Sequence, residues 1–158
     1  MTVRVGDQAP DFVVEGTDGS PEGRRSYSLA EYRGTPVVLV FYPADDSAVC
    51  TRQLVTYTKE FPAFESVDAV VLALSPQSID RHEAFASGQG GFAFPLLADT
   101  DKAVGVAYGV VGPLGFYKRS AFVVDAAGTI RYAHRSMTGL SFRPTDELVA
   151  AVREASGG

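Results

Sequence analysis

The chain has 158 residues, 46% of them hydrophobic, and its 14 basic and 19 acidic side chains leave a formal charge of −5. That balance excludes a disordered tail and a polybasic nucleic-acid binder, and a chain of this length hides roughly 70% of its unfolded surface, enough for a core without disulfides or a structural metal. One Cys and two His rule out an intrachain disulfide and supply no CxxC, HExxH or Cys/His cluster, so neither a metal nor a cofactor is expected. The opening MTVRVGDQAPDF lacks the apolar core of a signal peptide, and the longest apolar run, Pro36 to Pro43, is too short to cross a bilayer. The expected address is the cytoplasm, with no membrane and no nucleic acid among the partners. No repeat or low-complexity block divides the chain, so one domain over residues 1–158 is expected.

Glu15 to Ser26 (EGTDGSPEGRRS) reads as a turn-rich loop. Four apolar, β-branched runs read as buried strands: Val37 to Tyr42, Ala69 to Leu74, Ala121 to Asp125 and Thr129 to His134. The last two flank Ala126-Ala127-Gly128, a hairpin signal. The first helical pattern runs from about Ala48 to Phe64, with Leu54, Tyr57, Phe61 and Phe64 on one side and Pro62 placed to end or kink it. A second follows a Ser78 cap to about Ser87, a third spans about Asp101 to Tyr108, and a fourth follows a Thr145 cap through Leu148, Val149 and Val152. A strand-helix-strand unit of this length implies a parallel pair with a right-handed crossover, and the later hairpin adds antiparallel strands. The order is that of an α/β, thioredoxin-like fold: a central mixed β-sheet flanked by helices.

Cys50 lies eight residues past Tyr42, in the first turn of the predicted helix. Unpaired NH groups and the positive end of the helix dipole favour an anion there. A free thiol is only about 3% ionised at pH 7, and full ionisation gains some thirtyfold at most. Groups that align a reacting partner and stabilise charge must supply the rest of any useful rate.

The segment Pro43-Ala44-Asp45-Asp46-Ser47-Ala48-Val49-Cys50 spells P-x-x-x-S-x-x-C, which resembles the peroxiredoxin pattern P-x-x-x-[T/S]-x-x-C. Given one cysteine, that spacing would arise by chance in roughly one protein in 150 to 200, a moderate signal by itself. Ordered matches along the chain strengthen it. Gly6 to Phe12 is similar to the family's opening G-x-x-A-P-D-F, Phe94 to Asp99 to F-P-L-L-x-D, Tyr108-Gly109-Val110 to Y-G-V, and Arg119 to Asp125 to R-x-x-F-V-[V/I]-D. The chain resembles the bacterioferritin-comigratory (PrxQ-type) branch.

That resemblance implies a thiol-dependent peroxidase in which Cys50 attacks a hydroperoxide, hydrogen peroxide or an organic one, and becomes a sulfenic acid. Ser47 would hold the two peroxide oxygens, Pro43 shield the thiolate, Arg119 stabilise charge, and Gln53 orient Arg119. Relatives of this branch often carry a resolving cysteine five residues after the first, where this chain has Val55. The resemblance is therefore to a one-cysteine peroxiredoxin, whose sulfenic acid is reduced by an external thiol: thioredoxin, a glutaredoxin-like protein or a low-molecular-weight thiol.

Plainer readings stand beside these. Cys50 taken alone is a small buried hydrophobe, Ser47 an N-cap, Pro43 a strand terminator and Arg119 a solvated charge next to Lys118. His82, in a polar helix, and His134, at a strand end, read as surface or structural, and Asp45 and Asp46 as solvated loop carboxylates. The apolar stretch Val110 to Tyr117 reads as a folded-back core loop, or as a collar that admits organic hydroperoxides or packs in a homodimer. The competing function class is a redox-sensing thioredoxin-fold module that forms a mixed disulfide with a partner without efficient turnover.

Overall fold

The structure, a computed structural model, describes residues 3–20, 22–45, 47–136 and 141–157. Its strands are β1 (Val13–Thr17), β2 (Arg25–Ser28), β3 (Val37–Phe41), β4 (Val70–Ser75), β5 (Leu96–Ala98), β6 (Ser120–Val124) and β7 (Ile130–Arg135). Its helices are α1 (Ala48–Lys59), α2 (Phe61–Glu65), α3 (Ile79–Gly88), α4 (Ala103–Ala107) and α5 (Thr145–Gly157). The strands form one mixed sheet in the order β2-β1-β5-β4-β3-β6-β7, parallel where β3, β4 and β5 meet and antiparallel elsewhere. This is the expected thioredoxin-like arrangement.

β3 is central because both its faces are apolar. Val38 and Val40 point to one core with Leu54, Tyr57, Phe64, Phe85 and Leu148, and Val37, Leu39 and Phe41 to the other with Phe12, Tyr108 and Phe122. The four predicted strands fall within a residue or so of β3, β4, β6 and β7. The Asp125 side chain accepts from the NH groups of Ala127 and Thr129, and Gly128 takes φ +91°, which turns the chain from β6 into β7. The first predicted helix breaks at Glu60 into α1 and α2, with Pro62 in the first turn of the second, where its missing NH costs nothing.

Three expectations are corrected. The ends of the Glu15–Ser26 loop belong to the antiparallel pair β1 and β2, whose polar, edge-side residues carry no apolar run to read. Arg24 and Arg25 there are held locally, Arg24 by Asp80 and Glu83 on α3 and Arg25 by Glu31. Second, Thr145 begins α5 rather than capping it. The Pro144 carbonyl accepts from Leu148 NH, and the Thr145 hydroxyl is buried without a partner among the described residues. Third, the 101–108 helix shortens to α4, because Asp99 takes over its start by accepting from the NH groups of Val104 and Gly105.

The same buried Asp99 accepts from the Tyr117 hydroxyl, and the Tyr117 ring lies so close to Gly105 that a Cβ there would sit 2.6 Å from it. Val110 and Tyr117 anchor the apolar 110–117 segment in the second core, as a folded-back loop. Leu114 and Phe116 stand out from it, 84% and 71% exposed. The anchored end at Tyr117 fixes how the chain enters Lys118, Arg119 and β6.

Candidate active site

The register of the sheet builds the site. Phe41, the last residue of β3, pairs with Ser120, the first of β6. Arg119 therefore stands at the strand end from which the loop to α1 departs, and its carbonyl is fixed by Ser136 NH at 2.8 Å. After that loop Ser47 takes an extended conformation and caps α1, accepting from Cys50 NH at 3.2 Å. Cys50 is then the third residue of α1, with its NH satisfied by the cap and its sulfur at the positive end of the helix.

Cys50, Gln53, Leu54 and Tyr57 form the buried stripe of α1. Cys50 and Gln53, three residues apart, share that face. The Arg119 guanidinium, itself 3% exposed, donates from Nη2 to Cys50 Sγ at 3.2 Å and from Nη1 to Gln53 Oε1 at 2.6 Å. A buried cation with one donor directed at a sulfur atom and a second held by the neighbouring Gln53 carbonyl is not what surrounds a thiol that merely fills space, because desolvating a guanidinium is costly unless an acceptor with anionic character meets it. The arrangement can hold a thiolate and can stabilise negative charge developing beside it. Pro43 and Ser47 are half-buried at the mouth of the loop. The Ser47 oxygen accepts the cap bond, and its O–H can still donate.

Beside the guanidinium is a narrow notch lined by Gln53, Arg119, Ser120, His134, Phe142 and Arg143. Tyr57 lies under it. Its hydroxyl donates to the Arg143 carbonyl at 2.6 Å, and burial pushes its ionisation up to about 12, so it stays a neutral donor. A wider concavity, lined by residues such as Pro36, Asp125 and Arg153, lies at the start of β3, the opposite end of the sheet. A peroxide, with two reacting oxygens, does not need that room.

The structure thus brings together Cys50, Gln53 and Arg119 directly and sets Ser47 and Pro43 in the loop over them. It corrects the plainer readings of Arg119, which is 3% exposed rather than a solvated charge, and of Asp45, and it removes the surface alternative for His82. Asp45 is not solvated. Its side chain is fully buried, accepting from the Tyr42 hydroxyl at 2.7 Å and lying 2.7 Å from His82 Nδ1. Asp46 lies outside the described residues. His82 is fully buried in α3, and the signal for that was present: with Phe85 and Ala86 it forms the helix's one inward stripe. His134 is half-buried in β7 at the edge of the notch.

Comparison with known proteins adds the family. The family model described as AhpC/TSA matches residues 5–133. The chain is a peroxiredoxin. Alkyl hydroperoxide reductase E of Mycobacterium tuberculosis is 36% identical over 141 residues, 87% of this chain and 88% of that protein. Among solved structures, Enterococcus faecalis AhpC superimposes with a TM-score of 0.89 at 25% identity, over 99% of this chain and 94% of that one. Peroxiredoxin Q of Xanthomonas campestris does so with a TM-score of 0.78 at 26% identity, over 90% of each chain. This peroxiredoxin is a thiol-dependent peroxidase with a single cysteine, and among its described residues no helix is long and apolar enough to cross a membrane.

Proposed function

We propose that Cys50 is the peroxidatic nucleophile of this peroxiredoxin and that Ser47, Arg119, Gln53 and Pro43 serve it. The thiolate sulfur attacks one peroxide oxygen and the O–O bond breaks. The other oxygen leaves as water or an alcohol after taking a proton, and Cys50 becomes a sulfenic acid. Ser47 holds the peroxide by accepting from one oxygen and donating to the other. Arg119 donates to the sulfur and meets the charge that grows on the leaving oxygen, and Gln53 aims the guanidinium. Pro43 covers the sulfur against water. The observation that carries this reading is the single buried guanidinium bridging Cys50 Sγ and Gln53 Oε1.

Ser47→Ala tests the substrate contact. Oxidation by hydrogen peroxide should slow about ten- to hundredfold, with a further loss of about 1 kcal/mol of stability from the missing cap. Ser47→Thr should restore both, in stopped flow and in denaturant melts. An alanine variant oxidised within twofold of the parent rate would remove Ser47 from the site.

With one cysteine, the sulfenic acid is reduced from outside in two steps. A first thiol displaces water to give a mixed disulfide, and a second releases Cys50. Thioredoxin, a glutaredoxin-like protein or a low-molecular-weight thiol would serve, and a lone catalytic thiol suits a reducing compartment such as the cytoplasm. We assign the exposed Leu114 and Phe116 to a homodimer face, because two large apolar side chains stand out from an otherwise anchored loop. Light scattering should give twice the chain mass for the parent and the single-chain mass for Leu114→Asp, Phe116→Asp. Equal masses for the two proteins would remove the assignment.

A further inference from the structure

The loop from Pro43 to Ser47 decides where Cys50 and its cap sit, and its midpoint is tied down by a buried polar cluster that the chemistry above does not use. Asp45 accepts from the Tyr42 hydroxyl at 2.7 Å and meets His82 Nδ1 at 2.7 Å, while His82 Nε2 lies 2.9 Å from the Leu97 carbonyl of β5. Side-chain exposure of both Asp45 and His82 is zero. β5 and β6 lie on opposite sides of β3, so the loop is held from one side through His82 and from the other by Arg119 on Cys50.

The hydrogen bonding leaves little freedom. A carbonyl only accepts, so His82 Nε2 must carry a proton. The contact between Nδ1 and the carboxylate then needs one more, on Nδ1 as an ion pair or on the carboxyl as a neutral pair. Without it, two lone pairs would face each other in a dry site. Tyr42 is a donor throughout, since burial foremost and the neighbouring Asp45 hold its ionisation well above the usual tyrosine range. Removing any one member strands another buried polar group.

Cys50 has no exposed surface. A peroxide is small enough to reach it through a slight breathing of the loop, but a thiol reductant approaching in line with the sulfur needs the loop displaced. We propose that Asp45 and His82 are positioning residues for the peroxidase reaction: together they hold Asp45, and with it Pro43 and Ser47, in place for attack on peroxide, and this latch sets how often the sulfur is exposed to a larger thiol or disulfide. This rests on the reading of Cys50 as the peroxidatic thiol. Asp45 and His82 touch neither sulfur nor substrate and act through Ser47 and Pro43.

Two rates measured on each variant test it: oxidation of the reduced protein by hydrogen peroxide, and labelling of Cys50 by 5,5′-dithiobis(2-nitrobenzoate), a disulfide too bulky for the closed site. In Asp45→Ala the first should fall about tenfold or more and the second should rise about tenfold. Asp45→Asn should stay within about threefold of the parent in both, since its amide can donate to neutral His82 and its carbonyl accept from Tyr42. Leu148→Ala, which loosens the core under α5 by about 2 kcal/mol or more, should leave the ratio of the two rates unchanged. If Asp45→Ala does not fold, Tyr42→Phe should move the rates in the same opposite directions by a smaller factor. Rates within twofold of the parent, or both falling together as a merely destabilised protein would show, would overturn the latch. A parent protein that peroxide does not oxidise would instead overturn the peroxidatic assignment, while labelling would still report on the latch.

Discussion

Cys50→Ser should abolish peroxide turnover while the protein remains folded. A serine oxygen cannot take the sulfenic state, and its hydroxyl is far harder to ionise than a thiol, so no residual route through residue 50 survives. The substitution is nearly isosteric in a fully buried site. A hydroxyl placed there would cost about 1–3 kcal/mol if left unpaired, but the Arg119 donor 3.2 Å from the sulfur stands ready to meet an oxygen in its place. The variant should therefore show the parent's circular dichroism and a melting temperature within a few degrees. Peroxide consumption with excess dithiothreitol should fall to the rate of dithiothreitol alone. Turnover retained by this variant would place the chemistry elsewhere in the chain.

The second large effect is expected at Arg119. Its guanidinium donates to both Cys50 Sγ and Gln53 Oε1 from a position 3% exposed. Truncation to alanine removes charge stabilisation in a buried site and takes away the donor that Gln53 Oε1 accepts from. By analogy with loss of one oxyanion-hole donor, oxidation should slow about 10²- to 10³-fold. A pH profile tests whether that loss belongs to the transition state: at alkaline pH, where the thiol is ionised in both proteins, Arg119→Ala should still be slower than the parent. Curves that merge there would confine Arg119 to ionising the thiol. Arg119→Lys should recover little, because an ammonium on a flexible stem cannot aim two donors at fixed acceptors.

What could be read from the sequence follows from how each element is buried. β3, β4 and β6 are covered on both faces, so they appear as unbroken apolar runs, and with β7 they frame a turn sequence that announces itself at Gly128. β5 is three residues long, and β1 (Val-Val-Glu-Gly-Thr) and the edge strand β2 (Arg-Ser-Tyr-Ser) carry neither an apolar run nor a regular alternation. Their strand character comes from the neighbour each pairs with, which no local pattern records. The site divides the same way. Pro43, Ser47 and Cys50 are close in sequence and legible as a motif, and Arg119 was found through resemblance alone. The Asp45–His82 contact spans 37 residues and depends on a carbonyl at Leu97. Read locally, an aspartate in a loop and a histidine among Asp80, Arg81 and Glu83 look solvated.

The central claim is that Cys50 sits in a site built to reduce peroxide. It is tested most directly by stopped-flow oxidation of the reduced protein with hydrogen peroxide and with a bulky organic hydroperoxide. Free cysteine at matched thiolate fraction is the control, and intact mass is the readout. The predicted result is oxidation by at least one of the two peroxides orders of magnitude faster than the control, with the gain of a single oxygen at Cys50. A rate near that of free cysteine with both would contradict it, leaving the Arg119–Cys50 contact as a structural feature without catalytic effect.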